Sequence, residues 1–503
     1  MFLDAHNVES GRTLEADLCI IGSGAAGLTV ARALAGTSLK VCLLESGGLD
    51  PDAKTQDLYD AELTGVPYFM PLRACRQRYF GGSTNCWTGW CRPLDPIDFE
   101  KRDGVPYSGW PFDREHLDPW YAQAQKVCGL NAYTYEAESW AGKDAQPLPM
   151  DPTRVVSGVF QVSAPARFGT IYRAEINAAA NVEVLLHATV KELVTTPGGD
   201  RLDHLKVATL AGSTFYVKAR ATVLAAGGIE NARLLLLSDR THTSGLCNEH
   251  DLVGRYFMEH PHLYRFGTVF VTPPKNDRGA FYRLRPVGKQ CSVIGTLIIA
   301  PEELRRRKLL NFTATLEPFT SHEVRAAAKE DEVYRDIVRS LPLPWQRARH
   351  GPPGYMVHLN SRFEQAPNPE SRVTLVDKRD ALGQRKARLH WALTDTDYRT
   401  ATEAMQLLGR EFGFTDTGRF RLDENHYRRE TWTFAGGPHH MGTTRMHNDP
   451  KQGVVDRNCK SHALSNLYIA GSSVFPTGGS ANPTLTIVAM ALRLADHLEG
   501  TLA

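Results

Sequence analysis

The sequence predicts an α/β protein in which a Rossmann-like domain, discontinuous along the chain, is joined to an α+β domain built on an antiparallel sheet. Three observations predict this class. A strand–turn–helix–strand unit lies near the start, further apolar strands run into glycine-rich loops near the middle and the end, and the pattern changes between residues 264 and 432. Ligands of open α/β sheets bind where several strands end at one edge, so these strand ends are candidate sites.

The first unit opens with an apolar run over residues 16–21, which is typical of a strand buried in a parallel sheet. A turn over residues 22–27 follows at once. Residues 28–34 are small, apolar and rich in alanine, which favours a helix. A second apolar run over residues 39–44 ends in Glu45. A unit of this order and length is the setting that a dinucleotide-binding turn requires.

The turn itself has the GxGxxG spacing of that motif. Gly22 allows the tight turn, Gly24 lets the backbone approach a pyrophosphate, and Gly27 lets the helix pack closely on the strand. The free N–H groups of the helix start face the phosphates. Glu45 is placed to accept hydrogen bonds from the adenosine ribose. The flanking strands favour dinucleotide binding over a chance glycine-rich turn, but the motif does not distinguish NAD from FAD.

Two later junctions have the same character. An apolar run over residues 221–226 enters two glycines and then an apolar helix that extends through Leu237. Near the end of the chain, residues 466–472 form a short strand that runs into a Gly/Ser loop, and a helix follows from Leu485 to about Leu498. We expect the three junctions to meet at one sheet edge, with a cofactor lying across them.

The remaining segments predict the division into domains. Residues 291–300 and 372–376 have the pattern of antiparallel strands, and the charged, Pro-rich residues 302–353 indicate helix and loop. The prediction is a cofactor-binding domain of residues 1–105, 150–263 and 436–503. The substrate domain then comprises residues 106–149 and 264–435.

Composition limits the partners and the compartment. The 503 residues carry 58 Lys and Arg against 56 Asp and Glu, a net charge of 58 − 56 = +2, which gives no reason to expect nucleic acid or an anionic membrane. Nine scattered cysteines indicate reduced thiols, and the cluster Cys75, Cys86 and Cys91 matches no zinc or iron–sulfur spacing, so we expect no metal. Without a signal-like start or a membrane-length apolar run, the expectation is a cytoplasmic protein.

Five segments resemble the glucose–methanol–choline (GMC) flavoprotein family, in the family's order and spacing: residues 22–27, 79–87, 225–230, 439–446 and 478–486. The last two, which contain HHMGTTRM and ANPTLT, are most similar to the pyranose oxidase and bacterial glycoside oxidase branch. The resemblance implies an FAD-dependent enzyme that takes a hydride from a carbon bearing a hydroxyl group.

The resemblance also implies how FAD is held. Val190 would meet the adenine through its backbone, and the helix that begins at Pro483 would direct its positive end towards the flavin. In pyranose oxidases a His before the Trp of the second segment bonds covalently to the flavin, and because Cys86 stands there we predict non-covalent FAD. The full predicted set is Gly22, Gly24, Ala25, Ala26, Gly27, Glu45, Ser46, Arg78, Gly81, Gly82, Ser83, Asn85, Cys86, Trp87, Thr88, Val190, Ala226, Gly227, Gly471, Ser472, Ser473, Asn482, Pro483 and Thr484.

Alcohol oxidation by a flavin needs a base for the hydroxyl proton and a C–H bond facing flavin N5. Histidine suits the base because its pKa lies near neutrality. The family's HxMG pattern selects His439, although either neighbouring histidine on its own is equally compatible with a structural role. Asn482 matches the family's second catalytic position, and its alternative is a helix N-cap. His440, Trp90 and Phe475 are predicted to line the substrate side.

Several interpretations stay open at this point. The leading one is oxidation of a secondary hydroxyl of a sugar or glycoside to a ketone. Others are a GMC enzyme for an apolar or natural-product alcohol, a dehydrogenase that passes electrons to a separate acceptor, and a cyanohydrin lyase with structural FAD. The acceptor, O2 or another, is not predicted. Pyranose oxidases can be tetrameric, so a homo-oligomer is compatible with the resemblance, although no segment stands out as an interface.

Overall fold

Two large β-sheets frame the molecule in the computed structural model, which describes residues 1–164, 166–271, 279–340, 356–423 and 432–502. One sheet is largely parallel and the other is antiparallel, so the predicted fold class is confirmed. A third, three-stranded sheet lies beside them and contains Ala61–Gly65, Arg372–Arg379 and Arg385–Trp391.

The first sheet is built from the strands that the sequence predicts and from several that it does not. In spatial order its strands are Phe2–Asp4, Val182–Leu186, Val41–Leu44, Thr13–Ile21, Thr214–Leu224, Leu202–Ala208 and Thr189–Thr195, and Leu467–Ile469 pairs with the end of Thr214–Leu224. Pairing is parallel except along Leu202–Ala208. Residues 41–44 are buried throughout, as expected of a strand covered on both faces.

The strand register brings the predicted junctions together. Ile21 pairs with Leu44 on one side and with Leu224 on the other, and Leu224 also pairs with Ile469. Four parallel strands therefore end at the same level. The expected meeting of the early, middle and late junctions at one sheet edge is confirmed.

The antiparallel sheet contains, in spatial order, Gly418–Leu422, His262–Val271, Met356–Phe363, Phe312–Pro318, Cys291–Ile299, Val155–Ser163 and Trp90–Cys91, and Arg285–Val287 pairs with Cys291–Ile299. The strands expected near residues 291–300 and 372–376 are present. Phe312–Pro318 is a strand where the sequence predicted helix and loop, because its alternating residues pair on both sides within the sheet. The expected helices are present at Pro301–Arg307, Ser321–Glu330 and Glu332–Ser340, and residues 341–353 of that prediction lie outside the described residues.

The strand pairing also bears on the predicted division into domains. Val155–Ser163 was expected in the cofactor-binding part, but it pairs with Cys291–Ile299 in the antiparallel sheet, as Trp90–Cys91 does with Val155–Ser163. The segments near residues 90 and 155, which were predicted in the cofactor-binding domain, therefore belong to the antiparallel sheet. The division remains a prediction elsewhere along the chain.

The described α-helices are Ala25–Ala33, Ala53–Gln56, Pro96–Phe99, Arg114–Val127, Phe168–Ile171, Arg173–Ala178, Gly228–Leu237, Pro301–Arg307, Ser321–Glu330, Glu332–Ser340, Asp395–Phe414 and Thr484–Leu502. Short 3-10 turns occur at Ala5–Asn7, Asp57–Tyr59, Gly82–Asn85, Ala137–Trp140, Ala280–Tyr282 and Ser472–Val474. Ala25–Ala33 packs against Thr484–Leu502, which places the starts of both helices at the same end of the first sheet. Among the described helices, none has the length and apolar character to cross a membrane.

Candidate active site

A cavity of about 560 Å³ lies at the shared strand ends, between the first sheet and the antiparallel sheet. Most of the predicted site residues line it. The lining members are His439, His440, Gly22, Gly24, Ala25, Ala26, Glu45, Ser46, Arg78, Gly82, Ser83, Cys86, Trp87, Thr88, Trp90, Val190, Ala226, Gly227, Gly471, Ser472, Asn482, Pro483 and Thr484. The members that do not line it are Gly27, Gly81, Asn85, Ser473 and Phe475.

Three glycines, each just after the end of a strand, form the floor of the cavity with their backbone. Gly24, Gly227 and Gly471 all line the cavity, and a Cβ atom added to any of them would meet no atom within 4 Å. Gly227 and Gly471 also have φ angles of 90° and 107°, which favour glycine. The three glycines therefore leave open space next to the backbone, which suits the close approach of a phosphate chain.

Gly27 and Gly22 act within the turn itself. A Cβ on Gly27 would lie 1.9 Å from the Gly22 carbonyl oxygen, and one on Gly22 would lie 2.7 Å from the Ala225 oxygen. These positions need glycine so that helix Ala25–Ala33 packs directly on the strands. The helix start then faces the cavity with free N–H groups.

Glu45 closes the second strand and lies buried at the cavity wall. Its carboxylate accepts hydrogen bonds from the Ser23 hydroxyl at 2.5 Å, and from the backbone N–H groups of Ser23 and Gly47 at 3.1 and 2.8 Å. The carboxylate is held in a fixed orientation, and its remaining lone pairs can accept from the hydroxyls of a ribose.

Loop residues near Arg78 complete this end of the cavity. Arg78 donates to the Ser46 hydroxyl at 2.8 Å and lies 3.5 Å from the Glu230 carboxylate. The two predicted residues of the next turn have supporting contacts instead, because Asn85 donates its amide to the Phe80 carbonyl and Gly81 donates its N–H to the Ser23 hydroxyl. Ser473 accepts from the Asn231 amide behind the cavity floor.

The residues present fit FAD. The cavity runs from Glu45 and Val190 at one end to His439 and Asn482 at the other, and the open glycine backbone lies between them. The Oδ1 atom of Asn482 is buried and has no hydrogen-bond partner among the described residues, as expected of a group that a ligand completes. A dinucleotide with a ring at the Asn482 end would occupy this shape.

His439 stands in a chain of hydrogen bonds that determines its tautomer. His260 Nε2 lies 3.2 Å from the Gly478 carbonyl oxygen, which can only accept, so this nitrogen carries the proton. Neutral His260 then has its lone pair on Nδ1, 2.8 Å from His439 Nδ1, which must donate. The remaining nitrogen, His439 Nε2, is therefore unprotonated and faces the Asn482 amide at 3.2 Å.

The electrostatics agree with this assignment. Burial lowers the pKa of His260 to about 4, so His260 is neutral at physiological pH. Burial also lowers the pKa of His439 well below its usual range, and the proximity of other imidazoles and of the Arg362 guanidinium lowers it further. His439 is consequently a neutral acceptor, ready to take a proton from a bound hydroxyl.

Asn482 does not act as a helix cap. The first helical residue after it is Thr484, and the Oδ1 of Asn482 accepts no N–H from the helix. Its Nδ2 instead points to His439 Nε2. A hydroxyl placed at the cavity end can thus receive a hydrogen bond from the Asn482 amide while giving its own proton to His439.

Glu259 lies behind the histidine and orients its backbone. The buried carboxylate accepts from the Tyr68 hydroxyl at 2.6 Å and from the backbone N–H groups of His439 at 2.9 Å and His260 at 2.8 Å. Burial raises the pKa of Glu259 to about 7, although these hydrogen bonds oppose the shift. Its Oε1 is 3.9 Å from His439 Nδ1, close enough for the carboxylate charge to stabilise a protonated imidazole.

His440 has different surroundings from His439, as the sequence predicts for neighbours in extended backbone. Its Nε2 lies 3.0 Å from the Tyr68 hydroxyl, and its carbonyl oxygen accepts from the Ser472 hydroxyl at 2.7 Å. Burial lowers the pKa of His440 to about 3. The ring lines the cavity, and its hydrogen bond with Tyr68 holds it in place.

The aromatic wall differs from the expectation at one position. Trp90 lines the cavity, whereas Phe475 is fully buried and packs against Trp110 with ring centroids 5.1 Å apart. Phe475 therefore lies behind the wall. Trp87 donates its ring N–H to the Ala166 carbonyl, and Cys86, which also lines the cavity, donates its thiol to the Ser83 carbonyl.

Sequence reasoning missed six site residues: Tyr68, Glu259, His260, His262, Tyr264 and Arg362. His260 and Glu259 are about 180 positions from His439 in the chain, so no local pattern joins them. One signal was present, the run Met258-Glu259-His260-Pro261-His262, in which three titratable residues precede an apolar strand. Such a density of buried ionisable groups indicates a functional site.

The fold, with its cavity at the strand ends, indicates the class of flavin-dependent oxidoreductases, and comparison with known proteins shows the same class. A family model described as FAD dependent oxidoreductase matches residues 17–328, and one described as GMC oxidoreductase matches residues 367–491. The chain therefore belongs to the FAD-dependent oxidoreductases and, within them, to the GMC family that the five segments predicted.

Three similar proteins illustrate the range of the family. The chain is 24% identical to a 2-methyl-1,2-propanediol dehydrogenase of Mycolicibacterium austroafricanum, with 96% of this chain and 95% of the relative covered. It is 24% identical to a C-glycoside 3-oxidase of Microbacterium trichothecenolyticum, with 96% of each covered. The crystal structure of a pyridoxine 4-oxidase from Mesorbium loti superposes with a TM-score of 0.60 at 18% identity over 96% of this chain and 98% of that one, a likeness of fold.

Proposed function

We propose that the protein oxidises a secondary hydroxyl of a sugar or glycoside to a ketone, with His439 as the base. The single observation that carries this proposal is the unprotonated Nε2 of His439 beside the Asn482 amide, at the end of a cavity that fits FAD. A base and an amide donor at one point are what a hydroxyl requires as it loses its proton.

The roles of the residues follow from their hydrogen bonds. Asn482 donates to the substrate oxygen and holds the hydroxyl against His439. The Nε2 atom of His439 takes the hydroxyl proton, and the resulting positive charge is stabilised by Glu259, whose carboxylate lies 3.9 Å from Nδ1. FAD, when bound by the glycine floor and the Glu45 end, supplies the acceptor for the hydride.

Two different observations favour a sugar as the proposed substrate. One relative is named a C-glycoside 3-oxidase, and the segments over residues 439–446 and 478–486 resemble the pyranose and glycoside oxidase branch. The substrate end of the cavity also carries polar side chains, including His262, Tyr264 and Arg362. The diol dehydrogenase among the relatives supports the second candidate, a non-sugar alcohol with the same His439 and Asn482 chemistry.

We further propose that FAD is held without a covalent bond. Cys86 lies on the cavity lining at the position where a His bonds to the flavin in pyranose oxidases, and burial raises the pKa of its thiol, which disfavours the thiolate. Acid precipitation of the purified protein should leave the yellow flavin in the supernatant. Flavin that sediments with the protein would contradict the proposal.

The substrate proposal is tested by anaerobic bleaching of the flavin absorbance. The panel contains free sugars, O- and C-glycosides, and lipophilic alcohols. Bleaching by a sugar or glycoside, with a keto-sugar as the product, is the expected result, and the reoxidation rate in air then distinguishes an oxidase from a dehydrogenase. If lipophilic alcohols alone bleach the flavin, the sugar assignment is wrong while the chemistry of His439 and Asn482 stands.

A further inference from the structure

Arg362 is partly buried, and it differs from the buried arginines of the described chain, each of which has at least one hydrogen-bond partner. Its Nη1 atom is fully buried, and its side chain has no hydrogen bond and no ion pair within the described parts of the chain. By contrast, Arg76, Arg102 and Arg233 are each paired with buried carboxylates at 2.6 to 3.2 Å. A guanidinium whose Nη1 atom is buried without a hydrogen bond or a counter-charge is costly, so it points to a ligand that supplies them.

Arg362 lies at the substrate end of the cavity, so the negative charge that it lacks would have to be supplied there. Arg362 lines the cavity, and its guanidinium lies over the ring of Trp90, 4.4 Å from the centroid. Across the strand pair it stands directly opposite His262, whose ring centroid is 6.3 Å from that of His439. The guanidinium of Arg362 is therefore near His439, on the side of the antiparallel sheet.

A second polar atom is unsatisfied at the same place. The Nε2 of His262 is buried without a partner among the described residues, while its Nδ1 lies 3.0 Å from the Tyr264 hydroxyl. Burial and the charge of Arg362 lower the pKa of His262, and burial lowers the pKa of Arg362. Both side chains would gain from a ligand that accepts hydrogen bonds.

The acidic residues near the cavity are already engaged. Among the described lining residues, the carboxylates are those of Glu45, fixed by Ser23 and Gly47, and Glu230, shared by three arginines. Glu364, two residues from Arg362 on the chain, is bound through both oxygens by Arg102. The protein thus offers no internal counter-ion to this guanidinium within its described residues.

We propose that Arg362 and His262 form a subsite for an oxyanion carried by the alcohol substrate, so that the enzyme prefers acidic sugars to neutral ones. A planar guanidinium donates two parallel hydrogen bonds to such a group, and the Trp90 ring fixes the plane of the fork. This inference rests on the proposed function for the reacting hydroxyl, but the anion subsite has a test of its own.

The first test compares substrates that differ only at one carbon. Methyl β-glucoside, methyl β-glucuronide and methyl β-glucoside 6-phosphate are mixed anaerobically with the holoenzyme, and the concentration for half-maximal flavin reduction is measured. We expect it to be about 10- to 100-fold lower for an acidic sugar than for the neutral one, the range for a charge-assisted hydrogen bond. The glucuronide and the phosphate separate a carboxylate preference from a phosphate preference.

Variants assign the preference to Arg362. Arg362→Gln should raise the half-saturating concentration of the acidic sugar far more than that of the neutral glucoside, and Arg362→Lys should restore part of the difference. The matched control is Arg265→Gln, on the same sheet, because Arg265 is half-exposed, pairs with Glu317 and Glu323, and does not line the cavity. An equal loss for acidic and neutral substrates in Arg362→Gln would overturn the proposal and assign the charge to the cofactor.

The second test does not depend on turnover. Acetate and sulfate are titrated into the oxidised holoenzyme, and binding is followed by the change in the flavin absorbance spectrum. Saturable binding that Arg362→Gln abolishes and Arg265→Gln keeps is the expected result, even if no sugar bleaches the flavin. Wild-type protein that binds neither anion, and shows no preference for an acidic sugar, would refute the subsite.

Discussion

Glu259 combines a high pKa with a position next to the base. At pH values above about 7 its carboxylate is ionised, and the negative charge 3.9 Å from His439 Nδ1 favours the protonated imidazole that forms when the hydroxyl proton is taken. Below that pH the group is neutral and this stabilisation is lost. Since the pKa of His439 itself is well below its usual range, an inflection near neutrality belongs to Glu259.

The prediction for Glu259 is a pH profile. The anaerobic rate of flavin reduction should rise with pH through an apparent pKa near 7 in the wild-type protein. In Glu259→Gln the inflection should disappear, and the rate at pH 8.5 should fall by about tenfold, as expected for the loss of one charge next to a developing cation. A variant that keeps the inflection would show that another group titrates there.

Asn482 offers a test that separates function from helix capping. Because its side chain caps no N–H group, Asn482→Ala should change the melting temperature little, whereas loss of an N-cap costs about 1 kcal/mol. The rate of flavin reduction should fall by about 10²-fold, the scale of one donor to the reacting oxygen. A lower melting temperature with an unchanged rate would support the capping role instead.

At this scale the sequence predicted the two groups that we propose to contact the substrate, but not those that orient them. His439 and Asn482 lie in short segments with family-specific spacing, so a single sequence is enough to select them. His260 and Glu259 reach His439 only because the antiparallel sheet places residue 262 beside it, and Tyr68 reaches Glu259 from 191 positions away. Contacts of that range follow from tertiary packing and leave no local pattern.

At the scale of elements, substitutions in the strand-to-helix turn distinguish an effect on cofactor binding from an effect on folding. The space in front of Gly24 is open, and its φ of −71° suits any residue, so Gly24→Val should fold but block the phosphate path and purify with little flavin. The ratio of absorbance at 450 and 280 nm, together with circular dichroism, measures both effects.

Gly27→Ala is the matched change in the same turn. Its added Cβ would lie 1.9 Å from the Gly22 carbonyl oxygen, so the strand and helix cannot keep their spacing, and the yield of folded protein should fall. Full flavin content in Gly24→Val would contradict the assignment of this turn to the phosphates.

Glu230 links two elements at the wall of the cavity. Its buried carboxylate pairs with Arg76 at 2.9 Å and Arg233 at 3.2 Å, and their charges hold its pKa near 2 although burial opposes this. Glu230→Gln should lower the free energy of unfolding by about 3–5 kcal/mol, because it leaves the buried Arg76 without its carboxylate partner and removes one of the two partners of Arg233. Glu62→Gln, at an exposed pair with Arg388, should lower it far less in the same urea titration, because solvent screens that pair.

The elements themselves were predictable where their pattern is strong. The strands around residues 18–21, 41–44 and 222–224 are continuous apolar runs that end in glycine or Glu45, and the structure has them. Phe312–Pro318 was missed because its short alternation of Thr313 and Thr315 with apolar residues lies inside a stretch that is otherwise charged. Its strand character comes from neighbours on both sides, which the sequence does not show.

At the scale of the whole molecule, the site exists because two sheets of different type meet. The parallel sheet supplies the glycine floor and the Glu45 end, and the antiparallel sheet supplies His262 and Arg362. The sequence predicted this two-part plan, since ligands of α/β sheets lie at strand ends. It did not predict that Val155–Ser163 joins the antiparallel sheet, because strand order depends on long-range pairing.

The central claim, that His439 is the base of an FAD-dependent alcohol oxidation, is tested most directly by anaerobic flavin reduction in His439→Gln. With a substrate that bleaches the wild-type flavin, the rate should fall by about 10²- to 10⁴-fold while the flavin content stays the same. His204→Gln, at a histidine paired with Asp203 and outside the cavity lining, is the control and should keep the wild-type rate. A His439→Gln rate within tenfold of wild type, at full flavin content, would contradict the account.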